Sequence, residues 1–390
     1  MEQFALDSGP FAKDPYPVFD RLRREAPVFW HEGLQAYVLT RYADCRRLNE
    51  DAANFYPSQD GRPPIPYVQE LAGESHTRIR RMVNPAFTPR ALAASVEPAL
   101  PEIAEKLITP LLPRGRIEIV SEVGEAMATR VISKLLNVSK EDEKWMVKTA
   151  DEMLEAKADP SNAALQSVYP AKLAALQAFF SERLRQEREA PSGTLISDLI
   201  VAAEQLQSLT EEELLANTMG IVIAGIETTK RLVSNLVYLL VSNPDQMQAV
   251  RDDLSLLRPA IEETLRIHSP NQPIIRWAQN DVEFHGVKIR AGTRVYGMRG
   301  AANRDPDAWR DPDVFNVRRF LEKGLPPHLA FGLGPHTCPG AYLARRETEI
   351  LTGMLLKHTR NLRLDPGHEV VFVNFRNRGP RELHVLFDAA

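Results

Sequence analysis

The feature that most constrains this chain is the stretch Phe331-Gly-Leu-Gly-Pro-His-Thr-Cys-Pro-Gly340. It holds one of only two cysteines in 390 residues, among Gly332, Gly334, Gly340, Pro335 and Pro339. The pattern turns helical directly afterwards, from Ala341 through Leu356. Cys338 therefore ends a tight glycine-rich loop just before a helix N-terminus. Loop N–H groups and the helix dipole favour negative charge there, so a thiolate is expected to be stabilised. Such a thiolate is a soft, tunable metal ligand. Taken alone, Cys338 leaves the ligand and a small buried hydrophobe equally open, and for Cys45 the hydrophobe is the reading. Zinc is disfavoured, because no second ligand pair follows His336 and Cys338 at finger-like spacing.

Composition narrows the class. Hydrophobic content of 44% and charged content of 26% are ordinary for a globular protein. A net charge of −4 gives no support for nucleic-acid binding. Two cysteines do not make a disulfide scaffold and suit a reducing compartment. Met1 to Pro10 lacks the basic and apolar regions of a signal peptide. The most apolar stretch, Met219 to Val241, is interrupted by Glu227, Lys230 and Arg231, which argues against a membrane span. With no internal repeat or low-complexity linker, the expectation is one cytoplasmic domain covering residues 1–390.

Helices are predicted over Tyr16–Arg24, Tyr42–Asn49, His76–Val83 (closed by Asn84-Pro85), Arg90–Leu112, Val120–Leu136, Lys140–Ala156, Ala171–Glu189 and Thr194–Gln207. Thr210 with Glu213 forms a capping box that opens a long helix ending before Asn243-Pro244, and Pro259–Ile267 follows. Val28–Trp30 and Ala36–Thr40 read as a hairpin, Tyr56–Pro66 as a loop. Short strands are predicted at Ile274–Arg276, Val282–Phe284, Lys288–Ile289 and Arg294–Met298, with a final hairpin of Val370–Val373 and Leu383–Phe387. Helices followed by small sheets, without regular alternation, give an α+β class that is mainly α-helical.

Three further groups stand out. Ala224-Gly225-Ile-Glu227-Thr228-Thr229 places glycine, acid and hydroxyls inside an apolar helix, where they are expected to open a kink. A merely buried polar patch is the alternative. Glu263 and Arg266 share a helix face at i, i+3, as an ordinary ion pair would. His76 and Arg80 share one at i, i+4, flanked by Arg78 and Arg81, which leaves a solvated basic stripe open. Lys230-Arg231, directly after the threonines, has no functional account in the sequence.

Phe-Gly-x-Gly-x-His-x-Cys-x-Gly matches the haem-binding signature of the cytochrome P450 family at every specified position, and the chain resembles that family from His76 to its C-terminus. The resemblance implies the P450 fold, with haem b between the long helix and the loop. It makes Cys338 the iron ligand, with Phe331, Gly332 and Gly340 around it. His76, Arg80, Arg276 and His336 become anchors of the haem carboxylates. By the same resemblance Thr228 bonds iron-bound O2, Glu227 belongs to the proton path, and Ala224 and Gly225 form the oxygen groove. Glu263 and Arg266 become a buried structural pair joined by a third group, Arg319 or else Arg318. Val222, Ile223, Ile274, Ile275 and Phe375 are the expected pocket lining, and short loops point to a small or medium apolar or aromatic substrate. The implied activity is monooxygenation (hydroxylation or oxidative O-dealkylation) by a monomer. Electrons would come from a ferredoxin or flavodoxin-type donor and its NAD(P)H-dependent reductase. Arg78, Arg81, Arg345 and Arg346 are candidates for a basic donor-docking face, with plain solubility the alternative. A peroxide-driven relative of the same fold is disfavoured by Glu227-Thr228, and a haem-thiolate sensor has little need for a proton relay.

Overall fold

The computed structural model describes residues 11, 13–59, 65–158, 162–207, 209–373 and 376–390. Helix α1 (Tyr16–Glu25) leads into β1 (Val28–His31) and β2 (Ala36–Leu39), followed by α2 (Tyr42–Glu50) and β3 (Phe55–Tyr56). Then come α3 (Gly73–Ala86), α4 (Pro89–Ser95), α5 (Leu100–Ile108), β4 (Arg116–Glu118), a π-helical turn at Ile119–Glu125, α6 (Ala126–Leu135), α7 (Lys140–Ala158), α8 (Ala163–Glu189) and α9 (Leu195–Leu206). The long helix α10 spans Glu211–Ser242, with α11 (Pro244–Asp252) and α12 (Leu257–Ile267) after it. Strands β5 (Pro273–Ala278), β6 (Val282–Phe284), β7 (Val287–Ile289) and β8 (Arg294–Met298) precede a short α13 (Arg299–Ala302). Helix α14 (Ala341–His358) follows the Cys338 loop, and β9 (Thr359–Leu364), β10 (Phe372–Val373), β11 (Gly379–Pro380) and β12 (His384–Ala389) close the chain.

The first sheet has the order β1-β2-β8-β5-β3, parallel only between β2 and β8. It makes one lobe. The helical lobe is built round α10, whose Leu236 and Leu240 meet Ile261 of α12 and Leu351 of α14 in the largest apolar cluster. The capping box that starts α10 is present: Thr210 Oγ1 accepts from Glu213 N at 3.2 Å, and Thr210 N donates to Glu213 Oε2 at 2.9 Å. No described helix is long and apolar enough to cross a membrane.

Several boundaries differ from expectation. The predicted helix over Arg90–Leu112 is four pieces, because Pro98, Pro101, Pro110 and Pro113 each remove a backbone donor. Conversely, α3 runs through Pro85 and α8 through Pro170. Both prolines are exposed, so water can satisfy the carbonyl that each leaves without an N–H. The π turn at Ile119–Glu125 occupies the start of the helix predicted from Val120. The predicted C-terminal hairpin does not form. Instead β10 pairs with β11, while β12 lies between β4 and β9, a non-local sheet that alternation alone does not specify.

Candidate functional site

The loop before α14 is folded back on α2. Gly332 and Gly334 both have φ +69°. A Cβ on Gly334 would sit 2.9 Å from the backbone oxygen of Asn49, so glycine is needed there both for conformation and for space. Asn49 Oδ1 accepts from Leu333 N at 3.3 Å, and Cys338 N donates to Phe331 O at 2.9 Å, closing the turn. The Arg345 guanidinium lies over the Phe331 ring, 4.5 Å from its centroid.

Cys338 retains exposed surface, yet burial by surrounding protein is the main influence on its thiol and pushes the pKa up. Both hold for a side chain that protein groups surround while its own surface stays open. The Gly340 N–H and the charges of Arg80, Arg299 and Arg345 pull the other way without winning. Desolvation thus opposes the stabilisation of a thiolate that the loop and helix dipole were expected to give.

Four predicted residues are brought to this loop. The rings of His76 and His336 lie 4.0 Å apart. Arg80 Nη2 donates to Thr337 O at 2.8 Å, and Arg276, buried on β5, donates to Ile275 O at 3.0 Å. Burial, then Arg80 and Arg276, take the His76 pKa down to about 4; burial, then His76, Arg276 and Arg80, take His336 to about 3. Burial and the neighbouring Arg299 bring Arg276 to about 9. Arg299 was not singled out by any motif; only the fold brings it here. Among the described residues none of these five pairs with a carboxylate, and His76 Nε2 is buried without a partner. A cluster of desolvated donors without an acid fits an external anion.

On α10, Ala224 is exposed within a helix whose flanks are buried, and Thr228 is half-buried one turn on. Thr228 Oγ1 donates to Ala224 O at 2.7 Å, and the helix continues without a break. Gly225 packs closely on α6: a Cβ there would lie 2.6 Å from Ile132 Cδ1. Glu227 is buried and clamped, by Lys230 Nζ at 2.5 Å and Arg231 Nε at 2.8 Å. This accounts for the odd Lys230-Arg231 pair. Lys230 also reaches Glu125 at 2.8 Å. Burial alone would depress its pKa, but Glu227, Asp151 and Glu125 outweigh it and hold the ammonium above its usual value.

The ion pair of Glu263 with Arg266 is fully buried at 2.8 Å, and Arg319, not Arg318, joins it through Nε to Glu263 Oε1 at 3.0 Å. Of the arginines considered for a basic face, Arg78 pairs with Glu213, Arg345 with Glu262 and Arg346 with Glu97 and Glu349. Much of that positive charge is thus neutralised internally.

The expected pocket lining divides. Val222 and Ile274 are essentially without exposed surface and belong to the core clusters. Strand alternation sends Ile274 and Ile275 to opposite faces, and helix geometry separates Val222 from Ile223. Ile275 stays half-buried. Ile223 borders a small cavity with Tyr67, Gln69, Met153, Leu154, Tyr169 and Gly220. The two tyrosines were not picked out from the sequence. Phe375 lies outside the described residues.

The family model described as Cytochrome P450 matches residues 66–373. The chain belongs to the cytochrome P450 family. It is 32% identical to pulcherriminic acid synthase of Bacillus subtilis, over 100% of this chain and 99% of that one. It is 35% identical to vitamin D(3) 25-hydroxylase of Pseudonocardia autotrophica, over 94% and 91%. A Bacillus megaterium P450 solved with testosterone superposes with a TM-score of 0.89 at 29% identity, covering 96% and 98%. P450BioI, solved with a hexadecenoic-acid-loaded acyl carrier protein, gives 0.89 at 29% over 97% and 99%. The chain is thus similar throughout to P450 monooxygenases, haem-iron enzymes that use O2. The residues fit such a group. Among the described residues no cluster of three or more His, Cys, Asp or Glu could hold a metal by protein ligands alone. Cys338 offers a single donor, as suits a metal whose other ligands come from a macrocycle. The acid-free cations match the two carboxylates of haem b.

Proposed function

We propose that this P450 inserts one atom of O2 into a small to medium apolar or aromatic substrate. Electrons would come from a separate ferredoxin or flavodoxin-type protein and its NAD(P)H-dependent reductase. The observation that carries the reading is Cys338, an exposed lone sulfur donor beside Arg80 and Arg299, neither of which pairs with a carboxylate among the described residues. The haem supplies the iron that activates oxygen. Cys338 would be its thiolate ligand, held by the Phe331, Gly332 and Gly340 turn. His76, Arg80, Arg276 and His336 would hold the carboxylates through charge-assisted and neutral hydrogen bonds.

Thr228 would present its hydroxyl beside exposed Ala224, releasing the bond to Ala224 O in order to donate into the site. Glu227 would pass protons to it, and its exit from the Lys230–Arg231 clamp would time that transfer. This acid–hydroxyl pair favours O2 over peroxide as the oxidant. Ile223, Ile275, Tyr67 and Tyr169 would orient the substrate and exclude water. The relatives named for vitamin D(3) and solved with testosterone support a compact apolar substrate. We read residues 1–390 as one domain acting as a cytoplasmic monomer.

The test is turnover with ferredoxin, its reductase and NADPH under isotopically labelled dioxygen, using testosterone and compact aromatic compounds as probes. One labelled oxygen per product is expected. Product without label, or turnover supported by hydrogen peroxide alone, overturns the reading.

A further inference from the structure

The proposed function assigns no role to Arg299. It opens α13 immediately after β8, where β5, the Asn271 turn and the Cys338 loop converge. Its backbone N donates to Gln272 O at 2.7 Å. Its Nη1 donates to Asn271 Oδ1 and to Pro273 O, the latter at 3.2 Å; both acceptors are uncharged. Its Nη2 flanks the Cys338 loop, 3.9 Å from where a Cβ on Gly332 would stand. Its Nε is buried and has no hydrogen-bond partner. Like Cys338, the residue keeps some exposed surface while burial depresses its pKa, here to about 10. Arg299 thus stands beside the Cys338 loop with part of its surface open, as Cys338 does. An arginine desolvated without a counter-charge is strongly unfavourable unless a ligand brings one.

The charges of the site indicate which ligand group that is. Ferric iron, the porphyrin dianion, one thiolate and two carboxylates together carry two negative charges, which the two arginines Arg80 and Arg276 offset. Adding one electron would then leave an excess negative charge in a low-dielectric site. Arg299 adds a fixed positive charge that offsets that electron.

We propose that Arg299 is a fifth member of the cradle for the haem carboxylates, and that its fixed charge raises the reduction potential of the iron. The step concerned is one electron from the external donor converting ferric to ferrous iron. No proton needs to accompany it, since Arg299 is already charged. The inference rests on the haem reading above and adds a residue that no motif in the sequence marks.

The test uses the full chain loaded with haem b, wild type against Arg299→Gln and Arg299→Lys. The midpoint potential is read by spectroscopic redox titration, and haem loss by transfer to excess apomyoglobin. Arg299→Gln should shift the ferric–ferrous equilibrium about tenfold toward ferric, about 59 mV lower for one electron, and should release haem about tenfold faster. Arg299→Lys should restore the potential and only part of the retention, a separation that a merely structural role would not produce. A wild-type potential and release rate in Arg299→Gln overturns the proposal. If Arg299→Gln loads no haem, Arg299→Lys decides: faster release at a wild-type potential supports it, and wild-type release overturns it. A wild-type chain that takes up no haem overturns the haem reading itself, and this inference with it.

Discussion

Replacing Glu263 with alanine should destabilise this protein as much as a large core truncation does. Glu263 is fully buried and receives two guanidinium groups: Arg266 through both Nε and Nη2 at 2.8 Å, and Arg319 through Nε at 3.0 Å. Asn316 N adds a fourth donor at 3.2 Å. The intact network is itself weak evidence of stability, because desolvation opposes the Coulomb gain. Removing only the carboxylate is different, since both arginines stay buried. Their remaining acceptors are backbone carbonyls, such as Asn303 O and Pro312 O for Arg266 and Arg310 O and Asp311 O for Arg319, which carry no compensating charge. The expected cost is roughly 3–5 kcal/mol. With an unfolding entropy of about 2.1 cal/mol/K per residue, that lowers the melting temperature by about 4–6 °C for a chain this long. Urea unfolding followed by tryptophan fluorescence suits the purpose, because Trp309 packs 5.4 Å from the Arg266 guanidinium. Glu263→Gln, which keeps an acceptor, should lose less. A Glu263→Ala protein within about 0.5 kcal/mol of wild type would refute the reasoning.

Thr228→Val should lower product formation by about 100-fold or more while electrons are still consumed, the lost reducing equivalents appearing as hydrogen peroxide in a coupling assay. Gly334→Ala should cost about 1–2 kcal/mol for the left-handed backbone alone, with a further loss from the clash with Asn49 O, and chemical denaturation should show it. His268 is buried between Tyr16 and Tyr238, and burial, then Arg304, Arg378 and Arg266, hold its pKa well below the usual value. The unfolded chain therefore takes up the proton first as pH falls, so stability present above about pH 6.5 should be lost below it, at up to about 1.4 kcal/mol per pH unit. His268→Phe should flatten that slope in urea midpoints between pH 7 and pH 5.

What the sequence made legible was mostly local. The Cys338 loop, the capping box and the Glu263–Arg266 spacing are fixed within a few residues, and the structure carries each of them. Features decided by distant parts of the chain were not readable. Alternation identified the last strand but not its partners β4 and β9. Val222 and Ile223, like Ile274 and Ile275, are adjacent in sequence, and the helix and strand periodicities send adjacent side chains to different faces. The Lys230-Arg231 pair looked anomalous until Glu227, Glu125 and Asp151 were seen around it. Arg299 joins the cations of the site only because β8 delivers it there.

The most direct test of the central claim is the absorption difference spectrum of the dithionite-reduced protein with carbon monoxide. A strongly red-shifted Soret band, abolished in Cys338→Ala, is the predicted result, since it reports a haem with a thiolate opposite the bound gas. A band at the position typical of a neutral ligand, or a folded protein that takes up no haem, would contradict the account.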